Sequence, residues 1–501
     1  MSKRKLFIKN TLYNTGFKLV NQMIALFILP LFVKNLGAEL YGIWVISGIV
    51  IGYLGIMDLG FTQGAMKFIS EAISQKDNTK FNRVFSTSTA FFFLVGTAIC
   101  LIILLLNERI LSQLKIAPAD FETARMLLIV SALFSPLFWT SRITDITFQG
   151  ALLFKPYSIL SGLRTLGRSL SMLYMVYFGY DIVTIAIVSN FIHLILWMPS
   201  VYILKKSFPS LLLSLRSIDI NMIKEMAPFS LGVFYASLAS MLALQLDNLI
   251  IGVAISMSAV TAYVVSSKLF YIGYQYMGLL SGVLQPTSYR AFAEKDTNAI
   301  EMLMEKGTKY MAMLYIPVGY IGIIVSPMFI ELWMGEAFLQ YAFWSQAFLL
   351  LFVITSGFGM PINLVFNSGR TKPPNVVKTI SIILNLILSI SLVKYYGIGG
   401  PIIGTLAAGL LGVITFPYFC GLMNFKWPHY FLIVAKIISV NLPAAFCFYW
   451  LQSVLTPSLQ NLIILMAAMM LVFFGTLYVT MFTSDEKRDV SILLSQLRSA
   501  N

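Results

Sequence analysis

Fourteen apolar stretches, each about long enough to cross a bilayer, run from Thr11 to Phe482 with short loops between them. They fall at roughly 11–33, 41–65, 84–106, 124–148, 157–178, 182–204, 229–252, 259–285, 309–333, 346–367, 376–396, 399–420, 431–450 and 460–482. A hydrocarbon core of ~30 Å needs ~20 residues at 1.5 Å per helical residue, and each stretch supplies them. Lipid offers no partner to a bare N–H or C=O, so a spanning segment must satisfy its own backbone. Unbroken apolar runs without period-2 alternation therefore predict helices rather than barrel strands. A water-soluble fold has too little interior for 58% hydrophobic residues against 11% charged ones. The first stretch carries Lys18 and lacks an A-x-A-like cleavage site, so it is expected to stay in the mature protein. The expected class is an all-α polytopic membrane protein with about fourteen transmembrane helices.

The net charge of +14 is a matter of topology. Basic residues gather on one face: Lys3, Arg4, Lys5 and Lys9; Lys67, Lys76, Lys80 and Arg83; Lys205, Lys206, Arg216 and Lys224; Arg290, Lys295, Lys306 and Lys309; Arg370, Lys372 and Lys378; Lys487, Arg488 and Arg498. The opposite loops hold Lys34, Arg109, Lys115 and Lys394. The positive-inside rule then places both termini in the cytoplasm, which requires an even number of spans. No nucleic-acid partner is called for. Cys100, Cys420 and Cys447 lie in apolar runs, where a free thiol acts as a small hydrophobe. His193 and His429 stand alone, without metal-ligand spacing. Neither a metal nor a cofactor is expected.

One constant shift brings Trp44-Val45-Ile46-Ser47 onto Tyr263-Val264-Val265-Ser266, Ala72 onto Ala291, and Lys76-Asp77 onto Lys295-Asp296. Spans 1–6 thus match spans 7–12. Six helices return the chain to its starting side, so the copies share an orientation and are expected to be related by a pseudo-two-fold axis along the membrane normal, a transporter architecture. The expected organisation is an N-terminal lobe at 1–204, a cytoplasmic interfacial linker helix at 205–228, a C-terminal lobe at 229–420, and two appended helices with a tail at 421–501. The linker expectation rests on Leu211, Leu212, Leu213, Leu215, Ile218, Ile220 and Ile223 mixed with Arg216, Asp219, Lys224 and Glu225.

An ionisable group near the bilayer centre costs ~2.5–3.5 kcal/mol even on the mildest scale, so each should face a cavity or a partner. Arg164 and Arg168 sit one turn apart on one face of the fifth stretch, and Arg168 lies about 16 Å from Tyr157, near the midplane. Lys18 lies about 10 Å from the inner edge and Lys268 about 13 Å from the outer edge. Asp58 and Asp247 are carboxylates that can pair with these bases or exchange a proton. Asp145, three residues from Arg142, is expected to form a local ion pair with it. The remaining balance is four bases against two carboxylates. Arg164, Arg168, Lys18 and Lys268 are therefore the candidate ligands of an anionic substrate, with Asp247 and Asp58 as candidate coupling or gating groups.

Three segments carry a resemblance. Leu36-Gly37-Ala38-Glu39-Leu40-Tyr41-Gly42-Ile43-Trp44, then Met57-Asp58-Leu59-Gly60-Phe61 running into Lys67-Phe68-Ile69-Ser70-Glu71, then Leu246-Asp247-Asn248-Leu249-Ile250-Ile251-Gly252, look like the polysaccharide transport family of bacterial flippases. This is the Wzx-type branch of the multidrug/oligosaccharidyl-lipid/polysaccharide exporter superfamily. The resemblance covers spans 1–12. It implies two six-helix lobes around a central cavity that flips an undecaprenyl-diphosphate-linked oligosaccharide, such as an O-antigen repeat unit, to the periplasmic leaflet of the bacterial inner membrane. It also implies membrane lipids, a polysaccharide polymerase and chain-length proteins as partners, and H+ or Na+ as a coupling ion. The acidic and glycine positions of the motifs are implied to serve packing and gating.

Rival functions fit less well. A membrane glycosyltransferase or polymerase needs acidic or histidine residues on a substantial outer loop, and the longest one, 107–123, has scattered acids and no histidine. An ATP-driven pump would carry G-x-x-x-x-G-K-[ST], which is missing from this sequence. A multidrug exporter of the same superfamily predicts an anionic cavity, and a peptidoglycan lipid-precursor flippase a cationic one.

Overall fold

The computed structural model describes the backbone of residues 3–488. It describes the side chains of residues 20–488, apart from Ile56, Met57 and short runs within 229–244 and 278–286. Among the described residues every regular element is helical. Each apolar stretch falls on one helix or on a pair broken near its middle. By length and composition, eight helices among the described residues can cross a membrane, or nine if the pair Pro118–Leu133 and Ser135–Gly150, bent by 44°, is one span. Large apolar side chains stand exposed along them, such as Leu94, Leu105 and Leu471. In lipid these faces are already solvated, so packing rather than water exclusion must hold the helices together.

The chain divides into two compact units, Met1–Thr261 and Ala262–Asn501. The first contains α1 (Lys3–Leu36), α2 (Ala38–Leu54), α3 (Phe61–Ser74), α4 (Asn78–Leu111), α5 (Phe121–Leu133), α6 (Ser135–Gly150), α7 (Phe154–Tyr177), α8 (Ile182–Ser207) and α9 (Ile220–Ala254). Helix α9, placed by sequence in the second lobe, packs on α2, α3 and α4. Two close approaches seat the motif residues. A Cβ on Gly42 would meet the Met257 carbonyl oxygen at 1.9 Å, and Glu39 accepts the Ser258 N–H at 2.9 Å. The glycine and acid of this motif therefore serve packing and capping.

The linker departs from expectation. Helix α8 ends at Ser207, and Phe208–Asp219 is irregular apart from a single 3-10 turn at Leu215–Ser217. This strap lies along α4. Ser210 Oγ donates to Asn78 Oδ1 at 3.1 Å, the Leu212 N–H to Asn82 Oδ1 at 2.9 Å and the Ser214 N–H to Ser86 Oγ at 3.2 Å. Every fourth residue of a helix advances about 6 Å, and so does every second residue of an extended chain, so the two ladders stay in register. Asp219 closes the strap by pairing with Arg83 and accepting the Asn221 N–H. The hydrogen bond from Arg83 holds its carboxyl below the usual range. Backbone groups satisfied by α4 side chains have no need of a helix, which is why the amphipathic pattern misleads here.

The second unit contains α10 (Met257–Ala293, whose first turn belongs to the first unit), α11 (Thr297–Met334), α12 (Ala342–Thr355), α13 (Gly359–Asn367), α14 (Lys372–Tyr396), α15 (Gly399–Ile414), α16 (Phe416–Leu422), α17 (Trp427–Val454) and α18 (Leu459–Met481). Helix α11 is its hub: 67% of its apolar window is buried, against 11% for α14. The appended α17 and α18 both pack on α11. Thr476 Oγ1 donates to Asn441 Oδ1 at 2.8 Å between them, and Tyr320 of α11 donates to the Ile438 carbonyl at 3.2 Å.

One turn aligned by the internal repeat has the same geometry in each unit. Lys76 and Lys295 have φ of 55° and 53°. The Asp77 N–H donates to the Ala72 carbonyl and the Asp296 N–H to the Ala291 carbonyl. Asp77 and Asp296 then cap α4 and α11 through the Lys80 and Ala299 N–H groups.

Beyond α18, Glu486 pins the chain to α11. It accepts from Lys309 Nζ at 2.6 Å, Tyr310 Oη at 2.7 Å and the Thr483 N–H at 2.9 Å. Burial pushes the Glu486 carboxyl up, but these hydrogen bonds outweigh it and hold the group at about 2. That is below the ordinary glutamate value of about 4.3, so the stabilisation is complete above the ordinary value and is lost as pH falls toward about 2. A spin label at the exposed Ser484 should be immobile at pH 5 and gain mobility only between about pH 4.5 and 2. Glu486→Gln should free it already at neutral pH.

Candidate functional site

A cavity of about 580 Å³ opens inside the first unit. Small residues of α2 and of the turn that follows it line this space: Ser47, Gly48 and Gly52 on the helix and Gly55 just beyond its end. Aromatic rings of Trp44, Phe134, Phe138 and Trp139 form much of the remaining wall. Three charged residues line it: Asp58, Arg142 and Arg168.

Asp58 stands where the second apolar stretch breaks. Gly55–Asp58 is a 3-10 turn, Leu59 has φ of 48°, and Gly60 has φ of 75°. A side chain at Gly60 would also meet the Ser230 carbonyl oxygen at 2.2 Å, so only glycine fits. Beyond the break, Asp58 caps α3: the Thr62 N–H donates to Oδ1 at 3.1 Å and the Thr62 hydroxyl to Oδ2 at 2.8 Å. Arg142 Nη1 lies 3.9 Å from Asp58 Oδ2.

The ion pairing corrects the expectation for Asp145. Asp145 pairs across to α7, where Arg164 Nη2 donates to both of its oxygens at 2.5 and 2.6 Å. Arg142 instead faces Asp58. The helices α6 and α7 are neighbours in the chain and in space, and α6 turns Asp145 toward α7 and Arg142 toward the cavity. The balance of four bases against two carboxylates changes accordingly, because Arg164 is neutralised and Arg142 joins the cavity.

The predicted residues therefore separate. Arg164 is 3% exposed, bound to Asp145 and absent from the cavity wall. Arg168, one turn on, lines the cavity, and no carboxylate lies within ion-pair distance of it among the described residues. Its Nε is buried without a hydrogen-bond partner. Asp247 is 4% exposed on α9, within electrostatic reach of Tyr53, and does not line the cavity. Lys268 is half-buried on α10 in the second unit. Lys18 falls outside the residues whose side chains are described. Sequence reasoning missed Arg142 as a cavity cation. The signal was its spacing from Trp139, three residues earlier on one helix face: the guanidinium sits 3.9 Å from the ring centroid.

Fold and cavity define a multi-pass helical integral membrane protein with a cation-bearing chamber. The profile of the polysaccharide biosynthesis protein family matches residues 36–343, more than half of the sequence, and the chain belongs to that family. A Shigella flexneri protein whose name assigns it, provisionally, to O-antigen transport is 21% identical over 401 residues, covering 79% of this chain and 93% of that one. Among solved structures, the lipid II flippase MurJ in an inward closed conformation is similar with a TM-score of 0.71 at 16% identity, over 93% of this chain and 98% of that one. An inward-facing multidrug resistance MATE family transporter of the MOP superfamily is similar with a TM-score of 0.65 at 16% identity, over 80% and 94%. These neighbours share the fold, and they are transporters and flippases rather than enzymes.

Proposed function

We propose that this protein is a flippase that moves an undecaprenyl-diphosphate-linked oligosaccharide, the repeat unit of an O-antigen or similar polysaccharide, from the cytoplasmic to the periplasmic leaflet by alternating access. The observation that carries this reading is Arg168, a guanidinium on α7 that faces a cavity and has no carboxylate partner among the described residues. Such a group needs an anion, and arginine grips phosphate oxygens bidentately. The cavity wall carries two arginines against one carboxylate, the opposite of what a cationic drug would require. Expelling an anion from a negative interior is favoured by ~2.3 kcal/mol per charge per 100 mV. The concentration of basic residues on one set of loops supports an inner-membrane orientation with both termini in the cytoplasm.

Deletion of the chain should cause lipid-linked oligosaccharide to accumulate on the cytoplasmic leaflet and surface polysaccharide to disappear, measured by mass spectrometry of extracted lipids. Accumulation of the peptidoglycan precursor instead, or complementation of a strain lacking that flippase, would overturn the assignment of substrate.

A further inference from the structure

Arg142 is poorly matched to Asp58, the carboxylate that faces it across the cavity wall. Both oxygens of Asp58 are already engaged by Thr62, at 3.1 and 2.8 Å, and Arg142 stands off at 3.9 Å, beyond hydrogen-bonding distance. What positions the guanidinium is the Trp139 ring beneath it. None of its N–H donors makes a hydrogen bond among the described residues, and the side chain is 42% exposed at the wall of the cavity. An arginine oriented by a ring face, with its donor fork unused and its carboxylate held by Coulomb attraction alone, is a receptor whose counter-ion can be exchanged.

We propose that Asp58 is an internal counter-ion that an incoming phosphate or diphosphate group replaces on Arg142, while Asp58 itself stays bound to Thr62. This rests on the anionic-substrate reading above and adds to it a second receptor and a carboxylate that competes with the ligand. In the empty cavity Asp58 offsets one of two cations that would otherwise stand uncompensated within the membrane. On loading, the anion must outcompete a carboxylate for Arg142. A doubly charged diphosphate does so by Coulomb attraction and by bidentate hydrogen bonds that Asp58, at its present distance, does not make. The exchange thus selects charged headgroups over neutral lipids of the same chain.

The test is titration of the full-length protein in lipid nanodiscs with farnesyl diphosphate, with farnesol as the neutral control, by calorimetry. Asp58→Asn should tighten farnesyl diphosphate binding roughly tenfold and Arg142→Gln should weaken it roughly tenfold. The double variant should match Arg142→Gln alone, because Asp58 acts through Arg142. Asp58→Ser keeps a capping oxygen for α3 without the charge and should tighten binding as Asp58→Asn does, which guards against misfolding of the latter. Unchanged or weaker binding in both neutral Asp58 variants overturns the exchange, as does tightening that persists in the Arg142→Gln background. Wild-type protein that binds farnesyl diphosphate no better than farnesol overturns the anionic-substrate reading itself.

Discussion

Arg168→Ala is expected to abolish delivery of surface polysaccharide while the protein accumulates in the membrane at the wild-type level. The folded state loses little, because Arg168 Nε already lacks a hydrogen-bond partner and no ion pair is broken. The substrate complex loses a charge-assisted pair of hydrogen bonds, about 3 kcal/mol or more, which is ~100-fold in affinity. Arg168→Lys should restore only part of the activity, since an ammonium is a point charge without the planar fork. Immunoblotting of membranes beside surface-polysaccharide gels checks both halves. Normal polysaccharide with alanine at this position would remove Arg168 from the substrate site.

Arg164→Met should do the reverse and act on folding. It leaves Asp145 without the guanidinium that binds both of its oxygens. Breaking a buried pair from one side costs about 3–5 kcal/mol, and with Asp145 still 28% exposed the lower end applies. Poor accumulation and an early thermal transition in detergent are therefore expected. The double variant Arg164→Met with Asp145→Leu, which removes both charges, should recover most of the lost stability, because a buried ion pair is often no better than apolar packing. Failure of the second substitution to rescue the first would show that Arg164 serves something other than Asp145.

The contrast between these two arginines marks the limit of what the sequence discloses. Residues four apart on a helix share a face, and both were candidates for the substrate on that ground. They nevertheless differ by about 6 Å along the axis and by about 40° around it. That is enough for α6 to cover Arg164 with Asp145 while Arg168 opens onto the cavity. The same holds for Arg142, which stands three residues from Asp145 and close to it in sequence, yet is turned by its helix toward Trp139 and Asp58.

The sequence by itself determined the membrane as solvent, the helical class, the positions of the helices but not their breaks, and the matching capping turns at Lys76-Asp77 and Lys295-Asp296. These follow from local rules: hydrophobic length, backbone self-satisfaction and the cap chemistry of a few neighbouring residues. The tertiary structure alone decided that the strap Phe208–Asp219 stays extended, that α9 packs with the first unit, and which buried charge partners which. Those outcomes depend on how each helix is rotated against its neighbours and on side-chain groups more than a hundred residues away, as Asn82 is from Leu212, and no local pattern encodes them.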